Sequence, residues 1–223
     1  MTGPLVQARD LYMAYGQTAA LAGTSVECAA GETLGIVGAS GSGKSSLLLC
    51  VAGILKPDQG EVWFNNRRID QLGERERSRL RLTDLGVVFQ FGNLVAELTA
   101  LENVALPLLL QGFGKRQAEK AAGPWLERLG VAHRAGSAPN QMSGGEAQRV
   151  ALARAFVTEP KAIFADEPTG ALDAQTGARV LDALLGVARE NGTAVLMATH
   201  DLQLARSADR VVSMSDGALV GSR

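Results

Sequence analysis

Residues 38–45 read Gly-Ala-Ser-Gly-Ser-Gly-Lys-Ser, which satisfies the spacing G-x-x-x-x-G-K-[ST]. No other stretch limits the fold as tightly. Three glycines let the backbone curl until successive N–H groups point into one concavity, a shape that suits phosphate oxygens. The pattern carries that meaning only between a strand and a helix. Thr33 to Val37 supplies a short apolar run ahead of it, and Gly43 to Val51 reads as a helix behind it. The helix N-terminus then adds partial positive charge to the same concavity. Lys44 brings a full charge to the β- and γ-phosphates, and the Ser45 hydroxyl suits Mg²⁺. The expected cradle is Gly38, Ala39, Ser40, Gly41, Ser42, Gly43, Lys44, Ser45 and Ser46.

A chain of 223 residues is one large domain or two small ones. Its 46% apolar and 20% charged residues are globular values and argue against disorder. Lys plus Arg is 22 against 23 Asp plus Glu, a net charge of −1, so no global field draws it to nucleic acid. With 4% aromatics, a stacking platform for single strands is not expected. Cys28 and Cys50 lack metal-ligand spacing and read as two reduced, buried thiols, although counting alone leaves one disulfide open. Met1-Thr2-Gly3-Pro4 shows no secretory signal, and the apolar run Val104 to Leu110, interrupted by Pro107, is far too short to span a bilayer.

Along the chain, residues 4–37 read as short strands with turns. Gly60 to Phe64 is a further strand, Glu74 to Arg81 an exposed charged helix, and Gly86 to Phe89 a buried strand. Character changes after Gln90. From about 92 to 158 only helices are expected, at Leu101 to Leu110, Lys115 to Leu129 and Gly144 to Thr158, the second of them broken at Gly123-Pro124. Alternation then resumes: strand Ala162 to Ala165, helix Ala174 to Glu190, strand Thr193 to Ala198, short helix Leu202 to Ser207 and strand Arg210 to Met214. Strands separated by helices imply an α/β fold with a mostly parallel core sheet. The expected division is one domain, 1–223, with an α/β core at about 1–91 and 159–223 and a helical insertion at about 92–158.

Two further constellations carry chemistry. Ala162-Ile163-Phe164-Ala165-Asp166-Glu167 is a buried strand ending in adjacent carboxyls. Beside a phosphate loop, Asp166 would hold Mg²⁺ directly or through water, and Glu167 would polarise the attacking water as general base. Ser143-Gly144-Gly145-Glu146 is a capping box at a helix start. Two glycines in that first turn cost ~1 kcal/mol each against Ala, so capping alone does not explain them. They bare N–H groups at a positive helix end, a second phosphate site. One nucleotide does not need two such sites in one chain, which predicts a head-to-tail pair with ATP between subunits.

These motifs together resemble the ATP-binding-cassette (ABC) ATPases over essentially the full length. Met142 to Glu146 is similar to that family's L-S-G-G-Q signature, with Met for Leu and Glu for Gln. The resemblance implies a P-loop NTPase with an N-terminal antiparallel β subdomain and an inserted α-helical subdomain. It further implies that Tyr15 stacks on adenine and that Gln90 reaches the Mg²⁺ and water. By the same likeness Asp173 of Ala171-Leu172-Asp173 lies at the dimer seam, and His200 hydrogen-bonds the γ-phosphate as a switch. His133 reads as a solvated loop residue. The implied cofactors are ATP and Mg²⁺. The implied partners are a second ATPase subunit, most simply a homodimer, and an integral membrane permease, with no nucleic acid.

Phe89-Gln90-Phe91-Gly92-Asn93-Leu94, residues 98–108 and residues 165–173 are similar to the lipoprotein-release and macrolide-export type, whose permeases are FtsX-like. Ala171, where that group usually has Asn, departs from it, as does the Gly- and Ala-rich stretch 121–138. The resemblance places the protein peripherally on the cytoplasmic face of the cell membrane, with the 104–110 stretch either lining a groove for the permease or filling the helical core. The alternative is a soluble ABC protein of DNA repair or translation; such chains usually carry two cassettes or a long coiled coil, and neither is read here. A metabolite kinase would not explain the Ser-Gly-Gly helix start; a regulator that does not hydrolyse is disfavoured by Glu167 and stays open.

Overall fold

The computed structural model describes residues 3–222, so Met1 and Thr2 of the N-terminal stretch lie outside the described residues. β1 (Val6–Tyr15) and β2 (Thr18–Cys28) form an antiparallel hairpin turning at Gly16. Thr24, Val26 and Cys28 are buried while Ser25 and Glu27 face water, the period-2 pattern of a sheet wet on one side. β3 (Thr33–Val37) is buried at every position and runs into the phosphate loop, which opens α1 (Lys44–Val51). β4 (Gln59–Phe64) and β5 (Arg67–Arg68) complete an antiparallel sheet of order β2-β1-β4-β5. α2 (Glu74–Thr83) buries none of its residues, as its charge predicts, and leads into β6 (Leu85–Val88).

The described residues between β6 and β7 (Ala162–Asp166) contain helices and no strand. α3 (Ala100–Leu110), α4 (Lys115–Arg128) and α5 (Gly144–Phe156) pack on one another, with short 3₁₀ turns at Ala132–Arg134 and Pro139–Gln141. The expected break at Gly123-Pro124 is wrong: α4 runs through it. A proline removes one helical hydrogen bond, but Ala118, Ala122, Trp125 and Leu126 are buried on both sides of it, and Trp125 stacks on Phe156 at 5.8 Å. Packing across the proline outweighs the missing bond. In α3, Val104, Ala105 and Leu108 fill the helical core, and only Leu110 at the end of that stretch is exposed.

α6 (Ala174–Asn191), β8 (Ala194–Thr199), α7 (Leu202–Ala205), β9 (Arg210–Ser215) and β10 (Ala218–Ser222) close the fold. The second sheet has the order β10-β9-β3-β8-β7-β6, parallel throughout except for β10. β5 and β10 are absent from the sequence reading. β10 follows the Asp216-Gly217 turn, whose residues both have positive φ as a tight hairpin requires. That turn braces the phosphate loop: Gly217 N donates to Ser42 O at 3.0 Å. Cys28 and Cys50 are buried free thiols. No helix among the described residues is long and apolar enough to cross a membrane.

Candidate active site

Parallel strands deliver their next residues to one edge of the sheet, where α/β proteins hold ligands. Here β3 ends in the phosphate loop, β7 in Asp166 and Glu167, and β8 in His200. Two of the three loop glycines are sterically required. A Cβ on Gly38 would collide with the Met214 carbonyl oxygen, and one on Gly43, at φ 100°, with the Ala20 carbonyl oxygen. Gly41 also has positive φ. Lys44 is buried, and its Nζ donates to the Gly38 and Ala39 carbonyl oxygens at 2.9 and 2.8 Å. The buried Ser42 hydroxyl has no partner among the described residues. Tyr15, 56% exposed, shares a cleft of about 240 Å³ with Gly41, Gly43, Lys44, Ser45 and Ser46. A larger cleft of about 480 Å³, lined by Gln7, Arg9, Glu27 and Arg210 among others, contains none of the predicted site residues.

The Ser45 hydroxyl donates to Asp166 Oδ1 at 3.0 Å, across 121 residues of sequence. Burial raises the Asp166 pKa, the Ser45 hydrogen bond opposes this, Glu167 raises it further and Lys44 lowers it. Glu167 adopts φ 46°, a conformation costing a non-glycine residue about 1–3 kcal/mol and found where a site over-determines the backbone. Its Oε2 lies 2.7 Å from His200 Nδ1. A Cβ on Gly170 would sit 2.9 Å from Glu167 Oε2 and 3.0 Å from Gln90 Nε2, so the bare glycine lets those two side chains approach. Lys44, Ser45, Asp166, Glu167, Gln90 and His200 thus surround one region. No group of three or more His, Cys, Asp or Glu gathers among the described residues.

Ser143, Gly144, Gly145 and Asp173 form a second group. Ser143 caps α5 in a full capping box with Glu146. Asp173 caps α6 through Thr176 N, and the Thr176 side chain, followed by that N–H, lowers its pKa. The two caps pack together. A Cβ on Gly144 would lie 3.1 Å from Leu172 Cδ2, and one on Gly145 would collide with Thr176 Cγ2. Close packing is therefore a reason for these glycines that the sequence argument lacked. Among the described residues, no hydrogen bond joins Ser143, Gly144 or Gly145 to the phosphate loop.

Three features escaped the sequence reading. Gln148 Nε2 donates to Phe89 O at 2.9 Å, and Arg154 donates to the carbonyls of Gly92 and Asn93 at 2.7 and 2.8 Å, so α5 holds the backbone around Gln90. The available signal was two polar residues among the apolar ones of a buried helix. His133 is exposed but not merely solvated: it lies on the 3₁₀ turn, 3.1 Å from Glu146.

A protein-family model described as "ABC transporter" matches residues 21–170. The lipoprotein-releasing system ATP-binding protein LolD 2 of Caulobacter vibrioides is 47% identical over 223 residues, covering 98% of each chain. LolD of Acinetobacter baylyi is 44% identical over 97% of each. Among solved structures, the dimeric post-hydrolysis state of the ATP-binding cassette MJ0796 bound to ADP and Pi superposes with a TM-score of 0.90, 36% identity, and coverage of 98% of this chain and 97% of that one.

Proposed function

This chain belongs to the ABC transporter family, and from that premise we propose how its residues divide the work of a transporter ATPase. The protein is an ABC cassette whose activity is ATP hydrolysis. Gly38 to Ser46 bind the phosphates, Lys44 turning from the loop carbonyls to the β- and γ-phosphates. Tyr15 stacks on the adenine. Glu167 accepts a proton from the attacking water, and His200, hydrogen-bonded to Glu167, holds that carboxylate and contacts the γ-phosphate. Ser45, Asp166 and Gln90 would hold Mg²⁺, which when bound supplies charge neutralisation between the β- and γ-phosphates. A hydroxyl, a carboxylate and an amide oxygen are hard donors, and so small a protein set fits an ion that keeps waters and phosphate oxygens in its shell.

The second element of the proposal is a homodimer. Each ATP lies between the phosphate loop of one copy and the Ser143–Gly145 helix start of the other, with Asp173 at the seam. The observation that carries this reading is the separation of the two groups. Six catalytic-type side chains converge at the strand ends, while among the described residues the second phosphate-binding candidate makes no hydrogen bond to the loop it would complement. Closure then needs the γ-phosphate, and ATP drives it by binding the closed state more tightly than the open one. The names of the full-length relatives and the 98–108 and 165–173 motifs support a lipoprotein-releasing type of assembly. There the cassette sits on the cytoplasmic face of the membrane against an FtsX-like permease.

The test is Glu167→Gln with Mg-ATP, read by light scattering and phosphate release. The expected result is a nucleotide-dependent dimer with turnover reduced about 10²–10⁴-fold. Wild-type turnover in the variant would remove Glu167 as base. A chain that stays monomeric with ATP bound would remove the shared site. Lys44→Ala is expected to weaken ATP binding at least about 10-fold, since it deletes a charged phosphate contact.

A further inference from the structure

Glu146 stands where the resembled signature has glutamine, and its carboxylate is fully engaged on both oxygens. Oε2 accepts from Ser143 N at 2.8 Å and Ser143 Oγ at 2.9 Å, closing the cap of α5. Oε1 faces the other way, toward the 3₁₀ turn at Ala132–Arg134. It accepts from Arg134 Nε at 2.8 Å and lies 3.1 Å from His133 Nε2. A carboxylate can accept on both sides. A glutamine offers one oxygen and one NH₂, and with its oxygen on the Ser143 cap its NH₂ would meet the Arg134 N–H donor to donor. Position 146 and position 134 are therefore chemically matched.

The match has an electrostatic side. In the proposed dimer, on which this inference rests, the N–H groups of Gly144 and Gly145 receive a γ-phosphate from the second copy. An uncompensated carboxylate in the same first turn would repel that phosphate and cancel much of the helix's positive end. We propose that Arg134, assisted by His133, is a positioning residue for ATP-driven closure: it neutralises Glu146 and fixes the cap, so that the Ser143–Gly145 helix start is presented as an anion site. Arg134 touches no nucleotide in this scheme and acts only through Glu146.

The experiment is a double-mutant cycle of Arg134→Gln and Glu146→Gln, each built on the Glu167→Gln chain. The readouts are the Mg-ATP concentration giving half-maximal dimer, the ATP affinity at monomer-only protein concentration, and thermal unfolding. Arg134→Gln is expected to raise the half-maximal concentration about 10-fold, as loss of a half-exposed charged hydrogen bond predicts. Monomer ATP affinity should stay within about 2-fold, because the phosphate loop is untouched. Glu146→Gln alone should also weaken closure, and the double variant should be no worse than Arg134→Gln alone, the non-additivity expected of contacting residues. Arg134→Lys, which keeps the charge, should recover most of the loss. If Arg134→Gln closes like its parent, or the two effects multiply as for independent sites, the inference is wrong. If Arg134→Gln lowers the unfolding temperature with closure unchanged, the residue is structural and the inference also fails. If the parent Glu167→Gln chain forms no dimer with ATP, the shared-site reading itself falls.

Discussion

Gly43 is occupied from two directions. Its φ of 100° is closed to side chains, and the Ala20 carbonyl fills the place of a Cβ. Gly43→Ala is expected to cost about 1–3 kcal/mol of stability and to weaken ATP binding far more than it lowers the unfolding temperature, because the loop must shift off the phosphate position. A titration showing unchanged affinity would refute this. The same local logic separates Gly41, which has positive φ but open space around it, so that Gly41→Asn should be milder. Glu167 is the opposite case, a side chain in a glycine-like conformation whose carboxylate meets His200 at 2.7 Å.

Among the elements, α3 shows how a helix end is tied to its surroundings. Thr99 and Glu102 form its capping box, and Lys115 at the start of α4 reaches Glu102 Oε1 at 3.0 Å. The Lys115 hydrogen bond, followed by those from Thr99, lowers the Glu102 pKa from 4.5 to about 2. The folded form thus holds its charge more tightly than the unfolded chain. This contribution is complete above about pH 4.5 and is lost as pH falls toward 2. Thermal unfolding followed across that window should show a shallower pH dependence for Glu102→Gln than for the parent; identical slopes would contradict the assignment.

Elements of this kind were the legible part of the sequence. Caps, periodicity and the strand-loop-helix around residues 38–45 each act within a few residues. What stayed hidden was long-range: Gln148 and Arg154 gripping the backbone at 89–93, Thr176 excluding a side chain at 145, and Trp125 packing that carries α4 through Pro124. Glu146 looked like a simple cap because its second set of partners, His133 and Arg134, lies 13 and 12 residues upstream on a turn no periodicity announces. β10 stayed hidden for a related reason: its five residues carry little pattern of their own and are fixed by pairing with β9.

For the molecule as a whole, both thiols are buried, and burial pushes Cys50 up to about 12 and Cys28 higher still. The thiolate is the reactive form. Neither cysteine should react with an alkylating reagent at pH 8 in the folded protein, whereas both should react in denaturant; rapid labelling of native protein would show that these residues open to solvent.

The order of the second sheet has a consequence for how the molecule is made. β3, the strand that carries the phosphate loop, lies between β8 and β9, and its partners run from Val195 to Thr199 and from Arg210 to Ser213. The loop spans residues 38–45, yet the strands that hold its stem begin only at Ala194 and Arg210. A nascent chain released before residue 194 lacks both walls of the stem, and pairings of such long sequence separation form late. Shaping of this loop is thereby tied to synthesis past the β9 partners at Arg210–Ser213: a shorter nascent copy has the motif without the sheet that shapes it.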